Sequence, residues 1–214
     1  MNIPRPIAET SPPPEAILEA ALDEFADRGY PGARIDEIAR RAGVNKAGLY
    51  YHVGNKETLY LLSLRRIFSP LAAVMAAPAP EGSPEERLRF HVARFAEGIV
   101  SDRRFAPIML RELADHGANM PKEILAVMVS SLKRLTGVVD DGVAAGRFRP
   151  FPPPLIHFML VGALNLSVVT APVRARAESE GLASPAQVAL PDAATLAAQM
   201  AELFLNGLRA DRKE

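Results

Sequence analysis

Cysteine and tryptophan are absent from this 214-residue chain, and aromatic residues make up only 6% of it. Without cysteine there is no disulfide, no thiolate metal site and no thiol nucleophile. Net charge is also missing: 25 basic residues balance 25 acidic ones. A neutral total excludes a protein that coats nucleic acid through bulk charge, so any polyanion partner must meet a local patch. The N-terminus has Pro4 and Pro6 but no apolar signal core, which predicts a cytoplasmic protein. Catalytic signatures are lacking as well. There is no HExxH, no GxSxG, no phosphate-binding loop and no GxGxxG opening a helix after a strand. The histidines His52, His91, His116 and His157 are scattered, without metal-ligand spacing. Asp140 and Asp141 are adjacent, so on a helix they point about 100° apart and cannot share a site. The residues offer no positive signal for an enzyme, a metal or a cofactor.

What is present is helical periodicity over a chain that is 49% hydrophobic, enough for a sizeable core. No stretch sustains period-two alternation, so the expected class is all-α, with about nine helices. Residues 1–13 are proline-rich and read as a disordered arm. Residues 14–55 read as a small helical head, and 56–214 as a larger helical body. In the head, Pro14 and Glu15 suit the start of a helix whose buried stripe is Ile17, Leu18, Ala21, Leu22 and Phe25, ending near Gly29. A second helix spans about Ile35 to Ala42 and a third about Asn45 to His52. Gly43 makes the turn, Val44 fills the corner, and Asn45 caps the third helix. This is the composition of a helix-turn-helix.

The third helix has the character of a contact surface. Gly48 inside it costs about 1 kcal/mol relative to Ala. Tyr50, Tyr51 and His52 are consecutive and cannot all face one core. Ala47 and Gly48 would let the backbone approach base edges, while Lys46, Tyr50, Tyr51 and His52 offer donors. Lys56 opens the next helix, where its charge and the free amides suit a phosphate. Between Arg34 and Lys56 there are five bases against two acids, a modest basic patch. Arg34, Tyr50, Tyr51 and Lys56 are assigned to phosphates. Base readout falls to Lys46, Ala47 and His52 at the deeper end, with Asn45 and Gly48 beside them. Taken singly, each lysine reads equally well as a solvated surface residue and Tyr50 as core.

The segments AALDEFADRGY, IDEIARRAGV, LYYH and NKETL occur in order between Ile17 and Leu59. They resemble the N-terminal DNA-binding domain of the TetR family of bacterial one-component transcriptional regulators. Val53 stands where that family usually has Phe. Gly48 stands where Thr or Ser is common, which removes a hydroxyl contact to DNA. The resemblance implies a homodimer paired through the last two long helices, a double-stranded operator and a small-molecule effector.

Further along, a helix from Lys56, capped by Asn55, is expected to run until Pro70 disturbs it. Ser83, Pro84 and Glu86 form a capping box for a helix with the stripe Leu88, Val92, Phe95 and Ile99. Arg103 to His116 and Pro121 to about Ala145 read as two more helices. Leu155 to Ala171 is apolar nearly all round, and is read as a helix buried on every side rather than a membrane span. Glu178 to Pro191 reads as a loop. The last helix, Ala193 to Arg209, carries Leu196, Met200, Leu203, Phe204 and Leu208. Phe95, Met109, Leu110, Leu113, Met128, Phe158 and Leu164 are candidates to line an apolar cavity, with His116, His157, Asn165 or Arg111 as polar anchors. For each apolar residue the plain alternative is ordinary core. Arg111 and Glu112 are expected to form an exposed or interhelical ion pair. The expected function is a repressor released from a near-palindromic operator by a largely apolar ligand. The competing expectation is a helical small-molecule-binding protein whose head no longer reads DNA specifically.

Overall fold

In the computed structural model, residues 14–78 and 80–210 are described. The proline-rich arm of residues 1–13 lies outside them. Eleven helices and no strand occupy the described residues: α1 Glu15–Gly32, α2 Ile35–Arg41, α3 Lys46–Val53, α4 Lys56–Ala76, α5 Pro84–Val100 and α6 Phe105–Ala114 are followed by α7 Lys122–Ala144, α8 Pro153–Val169, α9 Ala171–Ser179, α10 Pro185–Val188 and α11 Ala193–Leu208. The caps read in the sequence are made. Asn45 accepts from the Gly48 amide, Asn55 from the Thr58 amide, and Ser83 and Glu86 form a reciprocal capping box. The first helix is broken at Gly29, whose φ of 68° only glycine adopts readily.

Helix α4 continues through Pro70 to Ala76, where the sequence suggested a disturbance. Pro70 lacks the amide that would reach the Arg66 carbonyl. The Ser69 hydroxyl donates to that carbonyl instead, at 2.8 Å, so no helical acceptor is stranded. By length and apolar content α4 could cross a membrane, but Leu59, Leu64, Ile67, Phe68 and Leu71 are all packed in the core. The expected loop from Glu178 to Pro191 contains the short helix Pro185–Val188, and Ala171–Ser179 forms a further helix running into its start; these are the two beyond the expected nine. Pro172 and Pro185 each sit in a first turn, where a missing amide costs nothing.

The core is one continuous apolar cluster from Ile17 to Leu208. Helix α5 runs through its middle, against α4, α7, α8 and α11. Gly98 permits the close approach of α5 to α4, since a side chain there would meet the Leu71 backbone at 3.1 Å. The expectation that the apolar α8 is buried on all sides is corrected. Ile156, Leu160 and Leu164 face inward, while Leu155, Phe158, Met159 and Leu166 form an exposed outer face. Helix α11 divides similarly: Met200, Phe204 and Leu208 are buried and Leu203 is exposed.

The C-terminal end is tied back by an antiparallel bridge between Phe148 and Arg209. The Phe148 ring packs against Gly142, where an added Cβ would fall 2.1 Å from ring carbon Cδ2. Gly142→Ala should therefore cost about 3 kcal/mol by overpacking. Chemical denaturation measures this, and a loss under about 0.5 kcal/mol would show that Phe148 moves aside freely.

Candidate nucleic-acid interface and effector cavity

Helix α3 turns Leu49 and Val53 into the core. Its other side presents Asn45, Lys46, Ala47, Tyr50 and Tyr51 to solvent. Tyr51 is 81% exposed, a large apolar area with no protein to cover it, and its ring meets His52 edge-on at 5.4 Å. Gly48 keeps the first turn narrow, and its amide is engaged by the Asn45 cap at 2.7 Å.

The basic patch is weaker than its residue count. Glu37 grips both Arg40, at 2.6 Å, and Arg41, at 2.8 Å. Those two hydrogen bonds lower its pKa to about 2. Arg41 also reaches Glu24 and Asp27. Lys46 pairs with Asp36 at 3.0 Å. Among the described residues, Arg34 and Lys56 are the bases of this segment that make no ion pair. Lys56 lies over the Tyr30 ring and donates to the Pro31 carbonyl at 3.3 Å. It thereby fixes the start of α4 against the kinked end of α1.

A buried carboxylate that the sequence did not flag holds the head together. Glu24 on α1 is fully buried. It accepts from the Arg34 amide at 3.1 Å and lies 3.2 Å from Arg28 and 3.3 Å from Arg41. A second one joins head and body. Glu112 on α6 is buried and accepts from the Tyr60 hydroxyl on α4 and from Asn119. The expected Arg111–Glu112 ion pair is therefore corrected. Arg111 turns the other way and donates to the Ala26 and Asp27 carbonyls at the end of α1. Burial, and next the hydrogen bond to Glu112, raise the Tyr60 hydroxyl pKa above its ordinary value. The Tyr60 ring packs on Phe25 at 4.6 Å and on Tyr30 at 4.9 Å.

Beside this junction lies an apolar cavity of about 100 Å³. Seven of the eight candidate ligand residues surround it: Phe95, Met109, Leu113, Met128, His157, Phe158 and Asn165. His116 does not. It occupies the turn after α6 with φ 59°, exposed to solvent. Leu164 is core outside the wall, and Leu110 faces a separate open groove. Leu71, Ile99, Phe105 and Val161 complete the cavity. Leu71 went unread because it lies past Pro70, where the helix was expected to be disturbed. The open groove, between α1, α6 and the start of α9, is bordered by Arg41, Arg103, Arg104 and Arg111. Three of these are already engaged. Arg104 holds Asp102, Glu19 and Asp23, and Arg41 and Arg111 are bound as described.

Two of the histidines that look unrelated in the sequence flank one phenylalanine. His91 stacks on Phe95 at 6.0 Å, and Phe95 meets His157 at 5.5 Å. Neither His91 nitrogen has a partner.

A family model for bacterial regulatory proteins of the tetR family matches residues 17–62. A second, for a tetracyclin repressor-like C-terminal domain, matches residues 81–168. The HTH-type transcriptional regulator RutR of Escherichia coli O157:H7 is 31% identical over 151 residues, covering 68% of this chain and 69% of its own. The chain belongs to the TetR family. It is a DNA-binding transcriptional regulator of the helix-turn-helix type. Among solved structures, a tetR-family regulatory protein from Rhodococcus RHA1 is 25% identical with a TM-score of 0.70, covering 92% of this chain and 97% of its own. The regulator FadR from Bacillus subtilis, solved with stearoyl-CoA, shares the fold at 19% identity and a TM-score of 0.62, covering 90% of this chain and 98% of its own.

The His91 environment makes a prediction. Burial, then the nearby His157 and Arg134, lower its pKa from 6.5 to about 4. The unfolded chain therefore binds more protons than the native one between those values, and stability falls as pH drops from 6.5 towards 4. His91→Leu should flatten that part of the stability–pH curve, measured by denaturant unfolding at several pH values. An unchanged slope would show that His91 is protonated in the folded protein.

Proposed function

We propose that this TetR-family regulator is a cytoplasmic, homodimeric repressor, released from a near-palindromic operator when a small, largely apolar effector fills the α4–α8 cavity. The observation that carries this reading is the position of α6. It lines the cavity with Met109 and Leu113. The residues between them in sequence, Arg111 and Glu112, grip α1 and α4. Helix α4 repeats the arrangement, with Lys56 at the head, Tyr60 at the junction and Leu71 in the cavity wall. A ligand that displaces either helix pulls on the head directly. A coupling of about 1–3 kcal/mol is enough for a usable switch.

In this reading the exposed outer faces of α8 and α11 are covered by a second copy, and two α3 helices enter successive major grooves. Arg34, Tyr50, Tyr51 and Lys56 serve the phosphates. Asn45, Lys46, Ala47, Gly48 and His52 form the deeper surface. The paired state of Arg40, Arg41 and Lys46 supports the competing reading, a ligand-binding protein whose head does not discriminate sequences. Selection from a random DNA pool with the purified protein separates the two. An enriched inverted repeat supports the repressor, and no enrichment from folded dimer supports the alternative.

On the selected operator, Tyr51→Ala should weaken binding about tenfold without lowering the thermal midpoint, since Tyr51 is 81% exposed. Arg34→Ala should reduce the slope of log affinity against log salt by about 1. Anisotropy titrations at several salt concentrations measure both, and wild-type affinity in Tyr51→Ala would remove α3 from the interface. For the dimer, Leu203→Glu should weaken self-association on the order of 100-fold. Sedimentation reads this out, and an unaltered dimer would place the interface elsewhere.

A further inference from the structure

Buried polar atoms in folded proteins nearly always have a hydrogen-bond partner. Here His91 at both ring nitrogens, Ser131 at Oγ, His157 at Nδ1 and Asn165 at Oδ1 have none. Two of these residues, His157 and Asn165, line the apolar cavity. They lie eight residues apart on α8, about 12 Å along its axis, so no single ligand group serves both.

Asn165 is fully buried. Its Nδ2 donates to the Val161 carbonyl at 2.8 Å, one turn back on the same helix. That bond assigns the amide: the atom left over is an oxygen, which can only accept. The cavity therefore asks for a donor at this point.

Charge narrows the class further. The wall contains no Lys, Arg, Asp or Glu. Its one titratable residue, His157, is held below its ordinary pKa by burial, and so is neutral at neutral pH. An ionised ligand would enter a site with no counter-charge, which costs far more than one hydrogen bond returns. In the remaining wall Phe95, Phe105 and Phe158 with Met109 and Met128 stand beside the aliphatic Leu71, Ile99, Leu113 and Val161, and the aromatic and thioether groups are a good surface for a ring. A cavity of about 150 Å³ admits benzene. One of about 100 Å³ is smaller, so a ring compound enters only as a side chain at its edge gives way. Leu113 on α6, 46% exposed and away from the α8–α11 face, is free to do so.

We infer that the effector is an uncharged ring compound carrying a hydroxyl or N–H group, which it donates to Asn165 Oδ1, and that carboxylates are excluded. This rests on the cavity being the effector site.

The test compares three probes of one shape on the full-length protein at neutral pH: 1-naphthol, naphthalene and 1-naphthoate, by calorimetry or probe fluorescence. 1-Naphthol should bind at least about tenfold tighter than naphthalene, and 1-naphthoate should not bind measurably. Asn165→Leu should still bind naphthalene, which shows an intact cavity, while losing the preference for 1-naphthol. If 1-naphthoate binds as well as 1-naphthol, the exclusion of anions is wrong. If 1-naphthol gains nothing over naphthalene, or keeps its advantage in Asn165→Leu, Asn165 is not the anchor and the inference falls while the cavity stands. If none of the three binds, the effector-site reading falls and takes the inference with it.

Discussion

A carboxylate taken out of water must be hydrogen-bonded or it destabilises the fold severely. Glu112 is that carboxylate, and the relation between head and body depends on it. It draws the Tyr60 hydroxyl from α4 and the Asn119 amide from the turn after α6. Tyr60 in turn is clamped by Phe25 and Tyr30 of the first helix. Three segments therefore meet around one acidic group, through its Oε1. Glu24 does the same inside the head, tying α1 to α2 through Arg41 and the Arg34 amide.

The cavity gains its leverage from one helix having two sides. On a helix, residues three or four apart share a face, and the intervening ones point elsewhere. Met109 and Leu113 are four apart and line the cavity. Arg111 and Glu112 fall between them in sequence and on other sides of the helix, where they hold α1 and Tyr60. The residues that line the cavity and those that hold the head thus belong to the same ten residues, Phe105–Ala114.

Local chemistry was legible in the sequence and long-range pairing was not. Asn45, Asn55 and the Ser83–Glu86 box announce helix starts because each bond spans three residues. The stripe Leu88, Val92, Phe95 and Ile99 shows its buried face by period alone. Pro70 misled because its rescue lies in the neighbouring Ser69 hydroxyl, a single side-chain bond with no periodic trace. Glu112 beside Arg111 looked like a surface pair, because its partner Tyr60 is 52 residues away. The all-round apolar α8 was read as fully buried. Composition reports that a face avoids water, not whether this chain or a second copy covers it. His116 looked like an anchor by proximity to Met109 and Leu113, but the helix stops at Ala114 and the turn carries it outside.

The pairing of the basic residues bears on how the head can work. Arg40, Arg41 and Lys46 are held by Glu37, Glu24, Asp27 and Asp36. Their charges are compensated before DNA arrives, so the sequence-independent attraction that dominates most DNA binding is small here. In the proposed repressor, as against the competing reading those pairs also fit, binding rests more on shape and on contacts made at the groove by α3. That suits a helix whose outward residues are Ala47, Tyr50 and Tyr51 rather than a row of lysines. It also suits a switch. A head held by broad electrostatic attraction would tolerate small changes in spacing, whereas one that depends on the placement of two short helices loses affinity when α4 and α6 move.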